Sequence, residues 1–494
     1  KKTINKVLTG PQDLYNFLFE ACNIIRGPVS QDNFKDYITP LLYYKRISDV
    51  YDEETEEALI SSGGDKEYAS LPEQHRFVIP DGCHWQEVRE RTENLGAAIV
   101  GAMRQIEIAN PDTLYGVLSM FSSQKWTNKA ILNDSKIRDL IEHLSKRELG
   151  NKDYPADLMG DAYEILLKKF ADDSKAQAGE FYTPRSVVRL LVHILDPQPG
   201  ETIYDPACGS GGMLIEAIRY MHDDFLCCGS IFGQEKNVVN AAIAKMNLFL
   251  HGASDFNVMQ GDTLRDPKIL QGGNIAKFDC VIANPPFSLE NWGATEWSSD
   301  KYKRNIYGTP SDSCGDYAWI QHMICSMVSG QGRMAVVMPQ GILFRNQETE
   351  IRKQLVESDL IEAVVTLGDK LFYGTGLSPC FLIIRRMKPA HHFGRILMID
   401  GSKILTQKRA QNILEENDID RLYSLYQNYS DEEDYSRIVT LQEIRDKEYN
   451  LSPNRYVVYH KEEIRPYAEV LAEFKHAYEE VKRLEEEFSL LINE

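Results

Sequence analysis

The segment Asn284-Pro285-Pro286-Phe287 combines residue types that could hold a flat ring by its amino group. It follows the largely apolar run 278–283, which predicts a buried strand. Proline lacks an N–H and has a fixed φ, so two prolines give a rigid turn whose carbonyl groups point in set directions. The side-chain oxygen of Asn284 and the carbonyl of Pro285 could accept both hydrogens of one amino group, while Phe287 stacks on the ring. This arrangement predicts methyl transfer to an amino nitrogen, most simply N6 of adenine. A loop that happens to contain two prolines is the alternative.

A glycine-rich segment follows an earlier predicted strand and opens a predicted helix. It reads Asp205-Pro206-Ala207-Cys208-Gly209-Ser210-Gly211-Gly212. Its glycines allow the backbone to approach a ligand closely. An acid at the strand end, Asp205, argues against a pyrophosphate and suits the ammonium group of a methionine moiety. By itself the segment is equally compatible with an ordinary strand-to-helix turn.

Two further acids follow the next two predicted strands. Glu235 comes about twenty residues after the glycine segment, where a ribose diol is held in nucleotide-binding sheets. Asp262 is placed to accept a hydrogen bond from the adenine amine of a cofactor. Either acid alone is more often a solvated loop residue. Because open α/β sheets bind ligands at the carboxyl ends of their strands, the acids and Asn284 together predict S-adenosylmethionine as the cofactor. NAD would leave the proline turn unexplained.

Short apolar strands that alternate with helices must position these residues, and they predict an α/β layer with a largely parallel sheet. The predicted strands lie at 202–204, 230–233, 256–259, 280–282, 333–337, 362–366, 380–385 and 394–399. The last two are expected to finish the sheet. We therefore predict a Rossmann-like domain of the S-adenosylmethionine-dependent methyltransferase type, with an N-terminal all-α domain and a C-terminal helical tail.

The domain boundaries predicted from the sequence are 1–150 for the helical domain, 151–400 for the catalytic domain and 401–494 for the C-terminal region. Within the first domain, Pro40 is expected to break or kink a helix. The tail carries a heptad seam, which suits either packing on its own domain or a coiled-coil arm for another chain. The seam residues are Val470, Phe474, Ala477, Val481, Leu484, Phe488 and Leu491.

Composition narrows the class of protein. The 494 residues contain no run of about eighteen apolar residues, so no transmembrane helix and no membrane partner are expected. The nine cysteines form no CxxC pair, which favours a reducing, cytoplasmic compartment and predicts no metal site. A net charge of −19 is unusual for a DNA-binding protein. Either the substrate is not nucleic acid, or a partner supplies the basic surface.

With these residues in place, the chain resembles the N6-adenine DNA methyltransferases, and more specifically the modification (HsdM-type) subunits of type I restriction–modification systems. The resemblance extends over nearly the whole chain. The matching segments are 36–42, 45–49, 179–185, 205–212, 284–287, 316–323, 338–344 and 454–456.

The resemblance implies further cofactor contacts. The family segment that helps to hold the methionine end of the cofactor corresponds to Glu180, Phe181, Tyr182, Thr183, Pro184 and Arg185. Ser210, Gly211, Gly212 and Glu235 are cofactor contacts on the same basis. The resemblance also implies double-stranded DNA as the substrate, a separate specificity subunit, a second copy of the modification subunit and a restriction subunit. A specificity subunit that reads the bases would account for the acidic charge of this chain.

The segment 288–316 contains Trp292, Trp297, Tyr302, Lys303 and Arg304. It could close over a flipped base or touch the DNA backbone, or it could be an ordinary surface loop. Two rival functions remain at this stage. One is a methyltransferase acting on a protein glutamine or on RNA, and the other is a catalytically inert assembly subunit that binds S-adenosylmethionine.

Overall fold

Apolar residues at helical spacing produce an N-terminal layer of helices, and alternating strands and helices produce the sheet that follows. A computed structural model describes residues 11–30, 33–114, 116–118, 123–155, 158–163, 165–166, 183–221, 230–253, 255–372, 378–408, 412–460 and 467–492. The N-terminal helices are α1 (Pro11–Ile25), α2 (Lys35–Ser61), α3 (Lys66–Ala69), α4 (Trp85–Arg89), α5 (Leu95–Ala109), α6 (Pro111–Leu114), α7 (Ser123–Thr127) and α8 (Asp134–Leu144).

Helix α2 runs through Pro40 without interruption, so this proline does not break the helix, and the alternative of a kink remains a prediction. The neighbouring side chains Ile38, Leu41 and Leu42 are fully buried. Burial of this apolar face supplies the stability that the missing backbone hydrogen bond removes. Tertiary packing therefore overrides the local preference of proline.

A nine-stranded sheet forms the centre of the described chain. Its strands are β1 (Ile203–Asp205), β2 (Ile231–Glu235), β3 (Phe256–Gln260), β6 (Cys280–Ala283), β7 (Arg333–Pro339), β8 (Ile361–Leu367), β9 (Pro379–Arg385), β10 (Arg395–Gly401) and β11 (Ser436–Thr440). They lie side by side in the order β11-β10-β8-β9-β7-β6-β1-β2-β3. The short strands β4 (Leu270–Gln271) and β5 (Asn274–Ile275) form a separate antiparallel pair. The predicted strands are confirmed, and the Rossmann-like architecture with them.

Later helices cover both faces of the sheet. They are α9 (Arg185–Leu195), α10 (Gly212–Tyr220), α11 (Val238–Leu250), α12 (Ala294–Trp297), α13 (Asp316–Cys325), α14 (Thr349–Glu357), α15 (Glu416–Asn428) and α16 (Leu441–Asp446). Short 3-10 turns lie at Pro72–Gln74, Gln340–Leu343, Asn346–Glu348, Ala390–His392 and Pro453–Arg455. One face of the sheet packs on α9, α10 and α15, and the other on α13, α14 and α16.

The direction of the chain across the sheet determines where a ligand can bind. Strand β1 pairs in parallel with β2 on one side and with β6 on the other. The strands that follow β1 in sequence therefore diverge to its two sides. In open α/β sheets this switch point leaves a crevice beyond the carboxyl ends of the strands. It brings Asp205, which ends β1, next to Asn284, which follows β6.

Two features of the sheet were not predicted. Strand β9 is antiparallel and lies between β7 and β8, so it is internal and does not finish the sheet. The edge is formed by β11, which pairs antiparallel with β10. Its sequence Ser-Arg-Ile-Val-Thr is short and mostly polar, so hydrophobic patterning does not identify it as a strand. The proposed division at residue 400 remains a prediction.

The hydrophobic core of the N-terminal helices continues into the part of the chain that contains the sheet. Ile243, Met246, Phe249 and Leu250 of α11 are buried among the N-terminal helices, whereas Ala244 and Leu248 pack toward the sheet. The Phe249 ring lies 5.1 Å from the Tyr43 ring and 4.9 Å from the Phe77 ring. One helix thus belongs to both cores.

The tail forms the long helix α17 (Tyr467–Ile492). Its apolar side chains Phe474, Val481 and Phe488 are 65%, 53% and 64% exposed. The helix therefore does not bury this seam against its own domain. None of the helices in the described ranges is long and apolar enough to cross a membrane.

Candidate active site

The bend after β6 is held by a contact with a distant part of the sequence. The Asn284 side-chain nitrogen donates a hydrogen bond to Thr183 Oγ1 at 2.8 Å. Its side-chain oxygen, Oδ1, is buried and has no hydrogen-bond partner. A buried amide oxygen without a partner is costly, so a ligand donor at this position would be stabilised. The bend therefore presents an unsatisfied acceptor.

The rest of the bend differs in exposure from one residue to the next. Pro285 is buried, Pro286 is exposed and Phe287 is half-buried. The Phe287 ring lies 6.4 Å from the Phe372 ring, at an interplanar angle of 56°. A rigid turn with a half-exposed aromatic ring beside it is compatible with stacking on a flat substrate.

A cleft beside the bend is lined by the glycine-rich segment. The lining residues are Thr183, Val188, Asp205, Ala207, Cys208, Gly209, Ser210, Gly212, Met213 and Asn284. Gly209 and Gly211 have φ values of +53° and +85°, which other residues adopt only with strain. A Cβ on Gly209 or Gly212 would meet no atom within 4 Å, so the loop borders open space that a ligand can fill.

Asp205 is fully enclosed at the end of β1 and accepts a hydrogen bond from the Ala207 N–H at 2.9 Å. Burial, reinforced by the nearby Glu235 carboxylate, raises the pKa of Asp205 to about 8. A buried carboxyl group is stabilised in its charged form by a cation. Asp205 therefore fits the ammonium group of the predicted cofactor.

Glu235 ties the second strand to the glycine-rich segment. Its Oε2 accepts from the Gly209 N–H at 3.0 Å, and its Oε1 accepts from the Asn237 N–H at 2.7 Å. Burial raises the pKa of Glu235 as well. Carboxylate oxygens can accept several hydrogen bonds each, so Glu235 retains acceptor capacity for a ribose hydroxyl.

Asp262 follows β3, as expected, but does not line the cleft. Lys236, whose side chain is 70% exposed, forms an ion pair with it at 2.9 Å. An exposed lysine is readily displaced, because such pairs contribute little stability. The predicted hydrogen bond from a cofactor adenine to Asp262 remains a prediction.

Of the family segment expected to hold the cofactor, Glu180, Phe181 and Tyr182 lie outside the described residues. Thr183 lines the cleft, and Pro184 is the N-cap of α9. Arg185 lies 3.6 Å from Asp161 and 3.5 Å from Glu216 and is not among the described residues that line the cleft. Its predicted cofactor contact also remains a prediction.

Three of the five aromatic and basic residues predicted to reach a flipped base or the DNA backbone are buried. Trp292, Trp297 and Arg304 are 2%, 2% and 1% exposed. Those three side chains therefore cannot touch the DNA backbone in this conformation. Lys303 is exposed and Tyr302 is half-buried, so only these two of the five predicted residues face solvent.

Arg304 links this segment to the loop that carries Asp262. It donates to the carbonyl oxygens of Thr263 and Leu264, at 2.9 and 2.8 Å, and forms an ion pair with Asp300 at 2.8 Å. His322 accepts from Arg304 at 3.2 Å and contacts the Tyr204 hydroxyl at 3.1 Å. Burial, together with the Arg304 charge, lowers the pKa of His322, which is therefore neutral.

Comparison with known proteins identifies the family of this chain. The N-6 DNA methylase family matches residues 154–464, and the HsdM N-terminal domain matches residues 14–144. The methylase subunits of the type I restriction enzymes MjaVII and MjaVIII from Methanocaldococcus jannaschii are similar to this chain. They are 35% and 32% identical, over 90% of this chain and 78% of theirs. The methyltransferase subunit of a type I restriction–modification system from Streptococcus thermophilus is 25% identical. Its crystal structure superposes with a TM-score of 0.74, covering 91% of this chain and 100% of that one.

The fold and the site thus define a methyltransferase of the S-adenosylmethionine-dependent class. The chain belongs to the N-6 DNA methylase family, and within it to the methylase subunits of type I restriction enzymes. It is an adenine-specific N6 DNA methyltransferase. The predicted family, activity and cofactor are confirmed.

Proposed function

We propose that this chain methylates a flipped-out adenine in double-stranded DNA, with Asn284, Pro285 and Phe287 as the residues that hold the base. The observation that carries the proposal is the buried, unpartnered Oδ1 of Asn284 at the edge of the cleft. An exocyclic amino group is a donor of the right kind for this acceptor. The hydrogen bond to Thr183 fixes the Asn284 amide in an orientation that leaves Oδ1 free to accept a hydrogen bond.

Two acceptors on one amino group would change its chemistry. In free adenine the N6 lone pair is delocalised into the ring, which makes the nitrogen a poor nucleophile. Hydrogen bonds from N6 to Asn284 Oδ1 and to the Pro285 carbonyl would favour a pyramidal nitrogen with a localised lone pair. Because the target atom is unreachable in a duplex, the base must leave the stack. Stacking on Phe287 would then contribute about 1–3 kcal/mol.

The cleft beside the bend is the proposed binding site for the cofactor. When bound, S-adenosylmethionine provides an electrophilic methyl group on a sulfonium. Asp205 would hold its ammonium group, Glu235 its ribose and Asp262 its adenine amine, with Gly209, Ser210, Gly211 and Gly212 as the cradle. Fixing both reactants in line can provide much of the rate enhancement. Formation of the N6–carbon bond would break the sulfur–methyl bond and leave a neutral thioether, while N6 would become cationic. Its proton would then be acidic enough to pass to solvent, so no strong base is required.

The family of the chain and the exposed apolar side chains of its tail helix both support assembly with other subunits. We propose that a specificity subunit reads the target sequence, that two copies of this chain bind it, and that a restriction subunit joins the complex. The exposed seam of α17, which includes Phe474 and Val481, is the surface proposed for this assembly. A basic specificity subunit would also compensate for the net charge of −19. Since its DNA substrate lies in the cytoplasm, we place the enzyme there.

The experiment that tests the proposal is incorporation of a tritiated methyl group into DNA by the chain with its cognate specificity subunit. RNA and protein are offered in parallel as competing substrates. Asn284→Ala should lower the methylation rate by at least about a thousandfold, while the cofactor Kd changes by less than about threefold. Asn284→Asp, which keeps an acceptor but lacks the amide donor to Thr183, is the matched variant. Normal turnover by Asn284→Ala would contradict the assigned role.

A further inference from the structure

The residue directly after the bend has an unusual backbone conformation. Ser288 has a φ of +50°, in the left-handed region that residues with a Cβ avoid. Strain of this kind persists only where surrounding contacts impose it. Ser288 follows Phe287, so this conformation determines how the chain leaves the ring that is proposed to stack on the base.

A buried carboxylate holds the backbone of Ser288 in place. Asp316 Oδ1 accepts a hydrogen bond from the Ser288 backbone N–H at 2.7 Å. Asp316 is fully buried at the first position of α13. The adjacent Gly315 N–H donates to the Leu289 carbonyl at 3.0 Å. The exit of the bend is therefore attached to the start of α13 at two consecutive residues.

Arg345 fixes the other oxygen of the same carboxylate. Its guanidinium forms an ion pair with Asp316 Oδ2, and its Nε lies 3.3 Å from the buried carboxylate of Glu348. The Cys314 thiol is also 3.3 Å from Asp316 Oδ2. With one oxygen held by Arg345, the Asp316 carboxylate cannot rotate away from Ser288 without breaking the ion pair.

We propose that Asp316 is a positioning residue for methyl transfer: by holding Ser288 in the left-handed conformation, it sets the orientation of Phe287 and of the bend toward the target adenine. Arg345 orients Asp316. This inference rests on the proposed function of the bend. It assigns no contact between Asp316 and substrate or cofactor. The effect of losing Asp316 should therefore appear in the chemical step and in base flipping, and not in cofactor affinity.

The test uses the full chain in complex with its specificity subunit. Asp316→Ala should slow single-turnover methylation by about 10–100-fold, since small misplacements of a reacting group have effects of this size. The cofactor Kd should stay within about threefold of the wild-type value, because the bend and the glycine segment are separate elements. In DNA with 2-aminopurine directly beside the target adenine, flipping of the adenine unstacks the probe and raises its fluorescence, and this change on binding should be smaller in the variant.

A second substitution distinguishes positioning from general stability. Glycine adopts a positive φ without strain, so Ser288→Gly in the Asp316→Ala background should recover the rate by about fivefold or more relative to Asp316→Ala alone. Asp316→Asn, which keeps an acceptor for the Ser288 N–H, should retain more activity than Asp316→Ala. A defect due only to lost stability would not be relieved by a glycine at 288.

The matched control is Glu362→Gln. Glu362 is also a buried acid, 2% exposed, and forms an ion pair with Arg385 near the opposite, amino-terminal end of the parallel strands. It should lower the melting temperature but leave the methylation rate unchanged. A folded Asp316→Ala variant with a wild-type rate and flipping signal would overturn the inference. So would equal rates for Asp316→Ala with and without Ser288→Gly. If wild-type enzyme itself fails to methylate adenine, the proposed function fails instead.

Discussion

The side chain of Asn284 is bonded to Thr183, which precedes it by about a hundred residues and borders the same cleft, through a 2.8 Å hydrogen bond. The bond connects the segment proposed to hold the cofactor to the bend proposed to hold the base. Replacing Thr183 by valine keeps the shape but removes the hydroxyl. We expect the single-turnover methylation rate at saturating cofactor to fall about tenfold, the value of one hydrogen bond. Thr183→Ser should retain the wild-type methylation rate. A wild-type rate for Thr183→Val would contradict a role for this hydrogen bond.

Cofactor binding should depend on pH through Asp205. Its pKa is raised to about 8 by burial, so the carboxyl is largely protonated at neutral pH in the ligand-free chain. Binding a cation beside it should release that proton. We therefore expect the affinity for S-adenosylmethionine to rise with pH by up to about tenfold per unit between about pH 6.5 and 8. Titration calorimetry in buffers of different ionisation enthalpy would measure the proton release. Asp205→Asn should bind weakly and show no such release.

The same carboxyl should affect the stability of the ligand-free protein. Because the pKa of Asp205 is higher in the folded chain than in the unfolded one, the folded state binds more protons between about pH 4 and 8. Its contribution to stability is therefore present at low pH and is lost as the pH rises through about 8. Asp205→Asn should melt about 2–5 °C above wild type at pH 8 without cofactor and show a smaller increase on cofactor addition. A melting temperature below that of wild type for ligand-free Asp205→Asn at pH 8 would contradict the predicted direction of this effect.

Arg304 should influence cofactor affinity from a distance. Its bonds to the carbonyls of Thr263 and Leu264 hold the loop that begins with Asp262. Arg304→Met should weaken cofactor binding about tenfold. It should also destabilise the fold by about 3–5 kcal/mol, since it leaves Asp300 without its partner. Isothermal titration and thermal unfolding would measure the two effects. Lys303→Met, at the exposed neighbouring position, is the control and should change neither.

The seam of α17 should be needed for assembly but not for cofactor binding. Phe474 is 65% exposed on this helix, so Phe474→Glu removes apolar contact area without disturbing a core. We expect the variant to lose co-purification with the specificity subunit while its cofactor Kd stays unchanged. Glu480→Ala, at an exposed position off the seam, should keep the complex. Retention of the complex by the Phe474 variant would show that the partner binds elsewhere.

Strand patterns in the sequence predicted the sheet well, and with it the meeting of Asp205 and Asn284. Their proximity follows from a general property of parallel sheets, namely that the loops beyond the carboxyl ends share one edge. Contacts between side chains far apart in sequence were not accessible in this way. The Asn284–Thr183 bond and the Arg304–Thr263 bond depend on how loops pack, which periodicity does not encode.

The packing of the aromatic and basic residues of 288–316 also could not be predicted from the sequence. Interleaved tryptophans and cations suggested a surface for DNA, but Trp292, Trp297 and Arg304 pack inward. A buried arginine can satisfy its donors within the protein, as Arg304 does here with two carbonyl oxygens, the Asp300 carboxylate and a ring nitrogen of His322. Residue type alone does not distinguish that arrangement from a phosphate contact. The contact between Asp316 and the backbone of Ser288 likewise depends on loop packing, which residue type and spacing do not reveal.

Helix α11 begins just after Glu235 and buries opposite faces in two different cores. Removing the N-terminal helices would expose Ile243, Met246 and Phe249 to water on the helix that directly follows the strand carrying Glu235. A catalytic fragment without those helices would be prone to aggregate and poorly ordered near the proposed cofactor site. Engineered fusions or transplants of this enzyme should therefore carry the helical and catalytic parts together.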